Sequence, residues 1–144
     1  SLKNKNLQTF KLNFLSSSKI IEKKIKNIKK VKFDAIVNLV GFIDNKTFSN
    51  FQINDLEKSI RVNSIIPIYI IKELSSSMVK NKFGRILQTS SIGVKFGGGI
   101  QSFCYSLTKF ASDMLPQISR SWVASNVLSN IVRIGSLIFG KRKV

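Results

Sequence analysis

The chain has 144 residues, 43% of them hydrophobic, which suits a single folded domain and not a disordered chain. It has one cysteine and no histidine. This excludes an intrachain disulfide, metal sites built from Cys and His clusters, and nucleophiles activated by histidine. The most apolar run, residues 64–71, is far shorter than the about 20 residues that span a bilayer. We therefore expect a cytoplasmic protein with no membrane partner.

The net charge of +17 is the strongest compositional bias. Ten of the 24 basic residues fall at or before Lys32, in a stretch whose only acid is Glu22. These lysines stand among Ile, Asn and Leu, as on the solvated face of a helix. Arginines interleaved with aromatic residues, the usual pattern of nucleic-acid binding, are not evident. The sequence therefore does not favour a nucleic-acid partner.

Three elements are predicted in the first part of the chain. Residues 10–14 (FKLNF) alternate between apolar and polar, which predicts a short strand. Residues 19–30 carry isoleucines at helical spacing with lysines opposite, which predicts an amphipathic helix. Residues 33–40 are short, apolar and followed by Gly41, which is typical of a buried parallel strand.

The rest of the chain continues to alternate between helices and strands. A helix is predicted over residues 54–79, capped by Asn54 or Asp55 and kinked at Pro67. The elements predicted after it are a strand (85–89), a glycine-containing loop (90–102), a helix (103–124) and a strand (127–134).

This order predicts an α/β fold, with a partial Rossmann-like, doubly wound parallel sheet flanked by helices. No internal repeat or linker divides the chain, so we expect one domain over residues 1–144. We expect Phe103, Phe110 and Met114 to pack in its core.

Tyr105 and Lys109 are four residues apart on a predicted helix, which places them on one face. A free tyrosine has a pKa of about 10, and a neighbouring ammonium favours the phenolate form. Such a pair can exchange a proton with a substrate oxygen. The spacing alone is weak evidence, because it also suits one packed tyrosine and one solvated lysine. Ser91 strengthens the case, because it ends the preceding strand, where parallel sheets bind ligands.

The segments GRILQTSSIG and YSLTK together resemble the short-chain dehydrogenase/reductase family around its catalytic serine and Tyr-x-x-x-Lys motif. DAIVNLVG resembles the family's Asn-Asn-Ala-Gly strand end, and RVNSIIP its helix with a fourth catalytic residue, an asparagine. SNIVRIG resembles the strand that leads to a turn beside the nicotinamide. The order and intervals of these segments agree over roughly residues 10–138.

The resemblance implies an NAD(P)-dependent oxidoreductase that interconverts a carbonyl and an alcohol. Tyr105 would be the general acid/base, Lys109 would assist it and hold the nicotinamide ribose, and both would contact the cofactor. Ser91, with Ser90 as the alternative, would orient the substrate oxygen, and Asn63 would sustain a proton relay. The residues that would lie along the cofactor are Asn38, Gly41 and Gly135.

The family pattern also implies NAD or NADP as cofactor, a small-molecule substrate and a homodimer or homotetramer. The loop SSIGVKFGGG resembles members near surface-sugar biosynthesis, while a 3-oxoacyl reductase activity is equally open. No glycine-rich cofactor motif precedes residue 33, and Ile134 replaces the usual proline. We therefore expect an internal fragment of such an enzyme, inactive in isolation. A non-catalytic Rossmann-like binding protein and a basic nucleic-acid-binding domain are the alternatives.

Overall fold

The computed structural model describes residues 7–135. The elements of this part of the chain, in order, are α1 (Ser18–Ile28), β1 (Ala35–Asn38), α2 (Ile53–Ile60), a π-helical segment (Arg61–Ile65), α3 (Ile66–Lys80), β2 (Gly84–Ser91), α4 (Gly93–Phe96), a 3₁₀ turn (Ile100–Ser102), α5 (Phe103–Asp113), α6 (Leu115–Ile118), a 3₁₀ segment (Ser119–Ser125) and β3 (Val127–Ile134). The sequence-predicted tail after Gly135 lies outside the described residues.

Within residues 7–135 three strands form one parallel sheet in the order β1-β2-β3. The register pairs Ala35 with Arg85 at the start of β1 and Ser91 with Ile134 at the end of β3. Helical segments connect each strand to the next, as parallel pairing requires. The predicted α/β, Rossmann-like class is therefore confirmed.

The main hydrophobic core lies where α3 and α6 cover the sheet, and it consists of Ile71, Met78, Ile86, Leu115 and Val127. Gly84 is needed where β2 begins, because a Cβ there would lie 2.6 Å from the Met78 sulfur. A second cluster of Ile21, Ile25 and Ile66 joins α1 to α3. The isoleucine spacing of α1 thus serves packing, and its lysines face outward. No helix within residues 7–135 combines the length and the hydropathy that a membrane span needs.

The predicted helix over residues 54–79 is continuous but changes its winding before Pro67. Proline has no N–H, so the Asn63 carbonyl lacks its ordinary α-helical donor. The chain responds with the π-helical turn Arg61–Ile65, in which the Ile66 N–H reaches the Arg61 carbonyl. The helix begins one residue early, after Gln52, whose N–H donates to the Asp55 carboxylate at 2.9 Å. The cap at Asn54 or Asp55 is therefore wrong.

The predicted strand over residues 10–14 is also wrong. That segment runs as an irregular chain into a turn, in which Asn13 accepts the Ser16 N–H through its main chain at 3.0 Å. Arg61 holds this turn by donating to the main-chain carbonyls of Phe14 and Ser16. Alternating polarity here reflects partial burial of a loop and not pairing in a sheet. The next strand, β1, is shorter than predicted and covers four residues.

The predicted helix over residues 103–124 breaks after Asp113. Pro116 supplies no N–H to the Ser112 carbonyl four residues earlier, so α5 cannot continue through it. Phe110 and Met114 lie on the solvent side with about half of their surfaces exposed, which corrects their assignment to the core. Phe103 instead packs against two other exposed or partly buried rings, Phe48 and Phe51.

Candidate active site

The candidate site lies at the carboxyl end of the sheet, where α5 packs against β2. Tyr105 and Lys109 are one turn apart on α5, and the Lys109 ammonium lies 5.5 Å from the centre of the Tyr105 ring. The sequence prediction that these two side chains share one helix face is therefore met by the geometry. The tyrosine is partly exposed, whereas the lysine is only 1% exposed.

Lys109 is a buried cation held by main-chain carbonyls. Its Nζ donates to the Val40 carbonyl at 2.9 Å and to the Thr89 carbonyl at 3.2 Å. Burial lowers the pKa of Lys109, because the charged form loses hydration. A buried ammonium needs such acceptors, and here one lies in the turn just after β1 and the other near the end of β2.

Ser91 and Tyr105 line the same cavity, which has a volume of about 270 Å³. Ser91 is the last residue of β2, and its hydroxyl accepts the Gly93 N–H at 3.1 Å. Ser90 points elsewhere: its hydroxyl is 3.5 Å from the main-chain carbonyl of Lys109. Of the two serines, only Ser91 is among the residues that line this cavity.

Asn63 is fully buried in the π-helical turn. Its side-chain oxygen accepts the Phe42 N–H at 2.7 Å, and its amide donates to the Phe42 carbonyl at 2.9 Å. The same amide also donates to the Thr108 hydroxyl, next to Lys109 in the chain. Asn63 therefore ties the loop after β1 to α5.

Gly41 lies beside the tyrosine and the lysine. A Cβ at this position would be 3.8 Å from the Tyr105 ring and 4.0 Å from the Lys109 ammonium. Asn38, three residues earlier, accepts the Val40 N–H with its side-chain oxygen at 3.1 Å. This contact turns the chain at the end of β1 and aims the Val40 carbonyl at Lys109.

Gly135 is the one predicted site residue that stands apart. It follows β3 and is exposed, and no neighbouring heavy atom lies within 4 Å of the position of a Cβ there. It does share the end of the sheet with Ser91, since Ile134 pairs with Ser91 and accepts the Ile92 N–H. The structure thus brings six of the seven predicted residues into a connected group and leaves Gly135 at its margin.

Three further polar residues belong to this group and were not singled out from the sequence: Gln88, Thr89 and Thr108. Gln88 is 1% exposed and accepts the Asn38 amide at 2.7 Å. A glutamine in the middle of a strand expected to be buried is the signal that could have found it. Among residues 7–135 no group of three or more His, Cys, Asp or Glu could hold a metal ion.

Cys104 precedes Tyr105 but does not belong to the reactive group. It is fully buried, and burial together with the nearby Asp44 raises the pKa of its thiol to about 11. The thiolate is the reactive form of cysteine, so this side chain is chemically quiet near neutral pH.

Known proteins resemble this chain over most of its length. The 3-oxoacyl-[acyl-carrier-protein] reductase of Aquifex aeolicus (strain VF5) is 29% identical over 103 residues, which cover 71% of this chain and 41% of that enzyme. The chain therefore spans less than half of that relative.

Solved structures share the fold. A 3-oxoacyl (acyl-carrier-protein) reductase from Agrobacterium tumefaciens with NADP bound superposes with a TM-score of 0.75 at 24% identity, over 84% of this chain and 47% of that one. A 4-hydroxyisoleucine dehydrogenase complexed with NADH and succinate gives 0.74 at 21% identity, over 84% of this chain and 58% of that one. The model of the short chain dehydrogenase family matches residues 7–137, which is most of the sequence. This chain belongs to the short-chain dehydrogenase family.

Proposed function

We propose that this chain carries the proton-transfer site of an NAD(P)-dependent oxidoreductase that interconverts a carbonyl and an alcohol. The observation that carries the proposal is the shared cavity of Ser91 and Tyr105, with the Lys109 ammonium 5.5 Å from the tyrosine ring. The hydroxyl groups of Ser91 and Tyr105 at the wall of one cavity suit a substrate oxygen, which accepts two hydrogen bonds in the carbonyl form.

Tyr105 is proposed as the general acid/base and Ser91 as the group that orients the substrate oxygen. In the reducing direction the Tyr105 hydroxyl gives its proton to the oxygen as the carbonyl becomes an alcohol, and in the oxidising direction it takes that proton back. The Ser91 hydroxyl already accepts the Gly93 N–H at 3.1 Å, so its own proton is free to point into the cavity. Ser90 is not chosen, because it faces the main chain of α5.

Lys109 is proposed to favour the ionised form of the tyrosine and to return protons to it. Its ammonium has three N–H groups, of which two are directed to Val40 and Thr89. Asn63 is proposed to sustain the relay beyond Lys109. Two observations support this role for Asn63. Pro67 leaves the Asn63 carbonyl without its usual helical donor, and the Asn63 side chain holds the loop after β1 through Phe42.

The residues present fit the nicotinamide end of a dinucleotide. Gly41 leaves space beside Tyr105 and Lys109 that a Cβ would narrow, and the third N–H of Lys109 could be donated to a ribose hydroxyl. Asn38 shapes the turn on one side, and Gly135 would border the site on the other. The dinucleotide, when bound, supplies or accepts the hydride. Structural relatives carry NADH, NADP or NAD⁺, so either cofactor is proposed.

The proposed substrate is a small-molecule carbonyl or alcohol. Names of related proteins range from 3-oxoacyl reductases to a xylitol dehydrogenase, so both an acyl thioester and a polyol belong in any first panel. We also propose a homodimer or homotetramer. The support is an exposed apolar face formed by Leu107 and Phe110 of α5 and by Met114, the residue that follows this helix. Light scattering of the full protein tests this: a monomer at all concentrations would contradict it.

The test of the proposed reaction is NAD(P)H turnover by the full protein and two tyrosine variants. Tyr105→Phe removes the hydroxyl in the cavity, and Tyr69→Phe is the matched control because it removes the hydroxyl of the other tyrosine, on α3. We expect Tyr105→Phe to lower kcat by about 10²- to 10⁴-fold, the usual range for loss of a general acid/base. Normal turnover by Tyr105→Phe, or an equal loss in both variants, would contradict the assignment.

A further inference from the structure

Gln88 occupies an unusual position for a glutamine, in the middle of the central strand β2. It lies directly opposite Asn38 of β1 and is 1% exposed. Its side-chain oxygen accepts the Asn38 amide at 2.7 Å, and its own amide donates to the Thr89 carbonyl at 2.8 Å. Both ends of the side chain are therefore engaged in buried hydrogen bonds.

These bonds reach both acceptors of the Lys109 ammonium. The Val40 N–H donates to Asn38, and the Val40 carbonyl accepts from Lys109. On the other strand, the Thr89 carbonyl accepts from both Gln88 and Lys109. A continuous chain of amide contacts thus links one carbonyl that holds the ammonium to the other.

The strand geometry explains why side chains are needed here. The pairing of β1 with β2 ends at Asn38 and Gln88, one residue before Thr89. Thr89 still pairs with Val132 of β3, but it lies just beyond the ladder between β1 and β2, and the side chains of Gln88 and Lys109 donate to its carbonyl. Burial deprives the Lys109 ammonium of water and lowers its pKa. The carbonyls of Val40 and Thr89 accept hydrogen bonds from this ammonium in place of water.

We propose that Gln88 is a positioning residue for Lys109, acting through the Thr89 carbonyl and, by way of Asn38, through the turn that carries the Val40 carbonyl. This inference rests on the proposed function of Lys109. It goes further by assigning a role to a side chain that touches neither the cavity beside Tyr105 nor the ammonium itself. Gln88 fixes where the ammonium sits relative to the tyrosine ring.

A purely structural role makes a different prediction. If Gln88 only fills space and satisfies its own amide, its loss should lower stability as any buried hydrogen bond does and leave Lys109 unchanged. Ser75 provides the comparison, because its hydroxyl is also fully buried and donates to the Ile71 carbonyl at 2.6 Å, on α3.

The test compares Gln88→Leu, Gln88→Glu and the control Ser75→Ala in the full protein. The first readout is the titration of the Lys109 side chain by NMR of isotopically labelled lysine, with the signal assigned by its absence in Lys109→Met. Gln88→Glu keeps the acceptor for Asn38 but sets a carboxylate against the Thr89 carbonyl. We expect it to raise the midpoint of Lys109, since a nearby negative charge favours the ammonium.

The second readout is NAD(P)H turnover. We expect Gln88→Leu to lower kcat by about tenfold, the scale of one misdirected hydrogen bond. Ser75→Ala should change neither readout. A folded Gln88→Leu protein whose Lys109 midpoint and turnover both match the wild type overturns the inference, because this variant removes the amide without adding a charge. If Gln88→Leu does not fold, an unchanged Lys109 midpoint in Gln88→Glu overturns it. If the wild type has no turnover, the proposed function fails, while the titration still decides the role of Gln88.

Discussion

Two buried regions of this molecule lie along the central strand β2, and one is apolar whereas the other is polar. The apolar core under α3 contains Met78 and Ile86, which are almost fully buried and pack in one hydrophobic cluster. At the other end of β2, four residues that we call the polar cluster are buried to a similar degree: Asn38, Asn63, Gln88 and Lys109. Burial alone therefore does not distinguish core from site.

The difference lies in how each region offsets the loss of water. Apolar side chains are stabilised by their removal from water, at about 25 cal/mol per Å². Polar groups gain nothing from burial and need partners. Each member of the polar cluster has them, down to the two carbonyls that hold Lys109. We infer that the core maintains the fold, whereas the polar cluster maintains the position of one ammonium beside Tyr105.

The largest expected effect on stability comes from the core. Met78→Ala should lower the free energy of unfolding by about 2–5 kcal/mol, because it leaves a cavity between α3 and the sheet. Met114→Ala is the matched control, since the other methionine is 56% exposed and should change stability little. Urea denaturation of both variants measures the difference. Equal losses of unfolding free energy in the two variants would contradict the placement of Met78 in the core.

The serine pair gives a second large effect, this time on turnover. Ser91→Ala should lower kcat by about a hundredfold, the scale found when one preorganised donor to a reacting oxygen is removed. Ser90→Ala is the neighbouring control and should retain most of the activity, because its hydroxyl faces the main chain of α5. Steady-state kinetics on both variants gives the comparison. A larger loss of kcat in Ser90→Ala than in Ser91→Ala would make Ser90 the residue that orients the substrate oxygen.

The smallest effect concerns pH. The pKa of Lys109 is lowered in the folded state from the ordinary 10.5, so between these two values the unfolded chain binds more protons. Stability contributed by Lys109 is therefore present above 10.5 and is lost as pH falls through the lowered pKa. The unfolding free energy of the wild type should rise relative to Lys109→Met as pH approaches 10.5. A difference between the two proteins that does not vary with pH would contradict the burial of a charged ammonium.

Much of the apolar framework could be predicted from the sequence. The strand over 127–134 and the start of the helix carrying Tyr105 agree with the structure, because apolar runs and turn residues mark them locally. The strand over 10–14 failed, because partial burial in a loop produced the same alternation as a strand. The π-helical turn before Pro67 also escaped prediction, since a kink can be absorbed at several positions in the preceding turn.

The candidate site also contains residues that the sequence could predict and residues that it could not. Tyr105, Lys109 and Ser91 could be found from local spacing together with family resemblance. Gln88 could not be placed, because its partner Asn38 is 50 residues away and the two meet only when the strands pair. Contacts of this kind depend on register, which the local sequence does not state.

The most direct test of the central claim is to measure turnover and stability side by side in Lys109→Met and in the exposed control Lys72→Met. Replacing a buried ammonium by an apolar side chain of similar length should change the free energy of unfolding near neutral pH by less than about 2 kcal/mol. NAD(P)H turnover should fall by about a hundredfold or more, on the scale of lost acid–base assistance. Lys72→Met should change neither. Full turnover by a folded Lys109→Met protein would contradict the account.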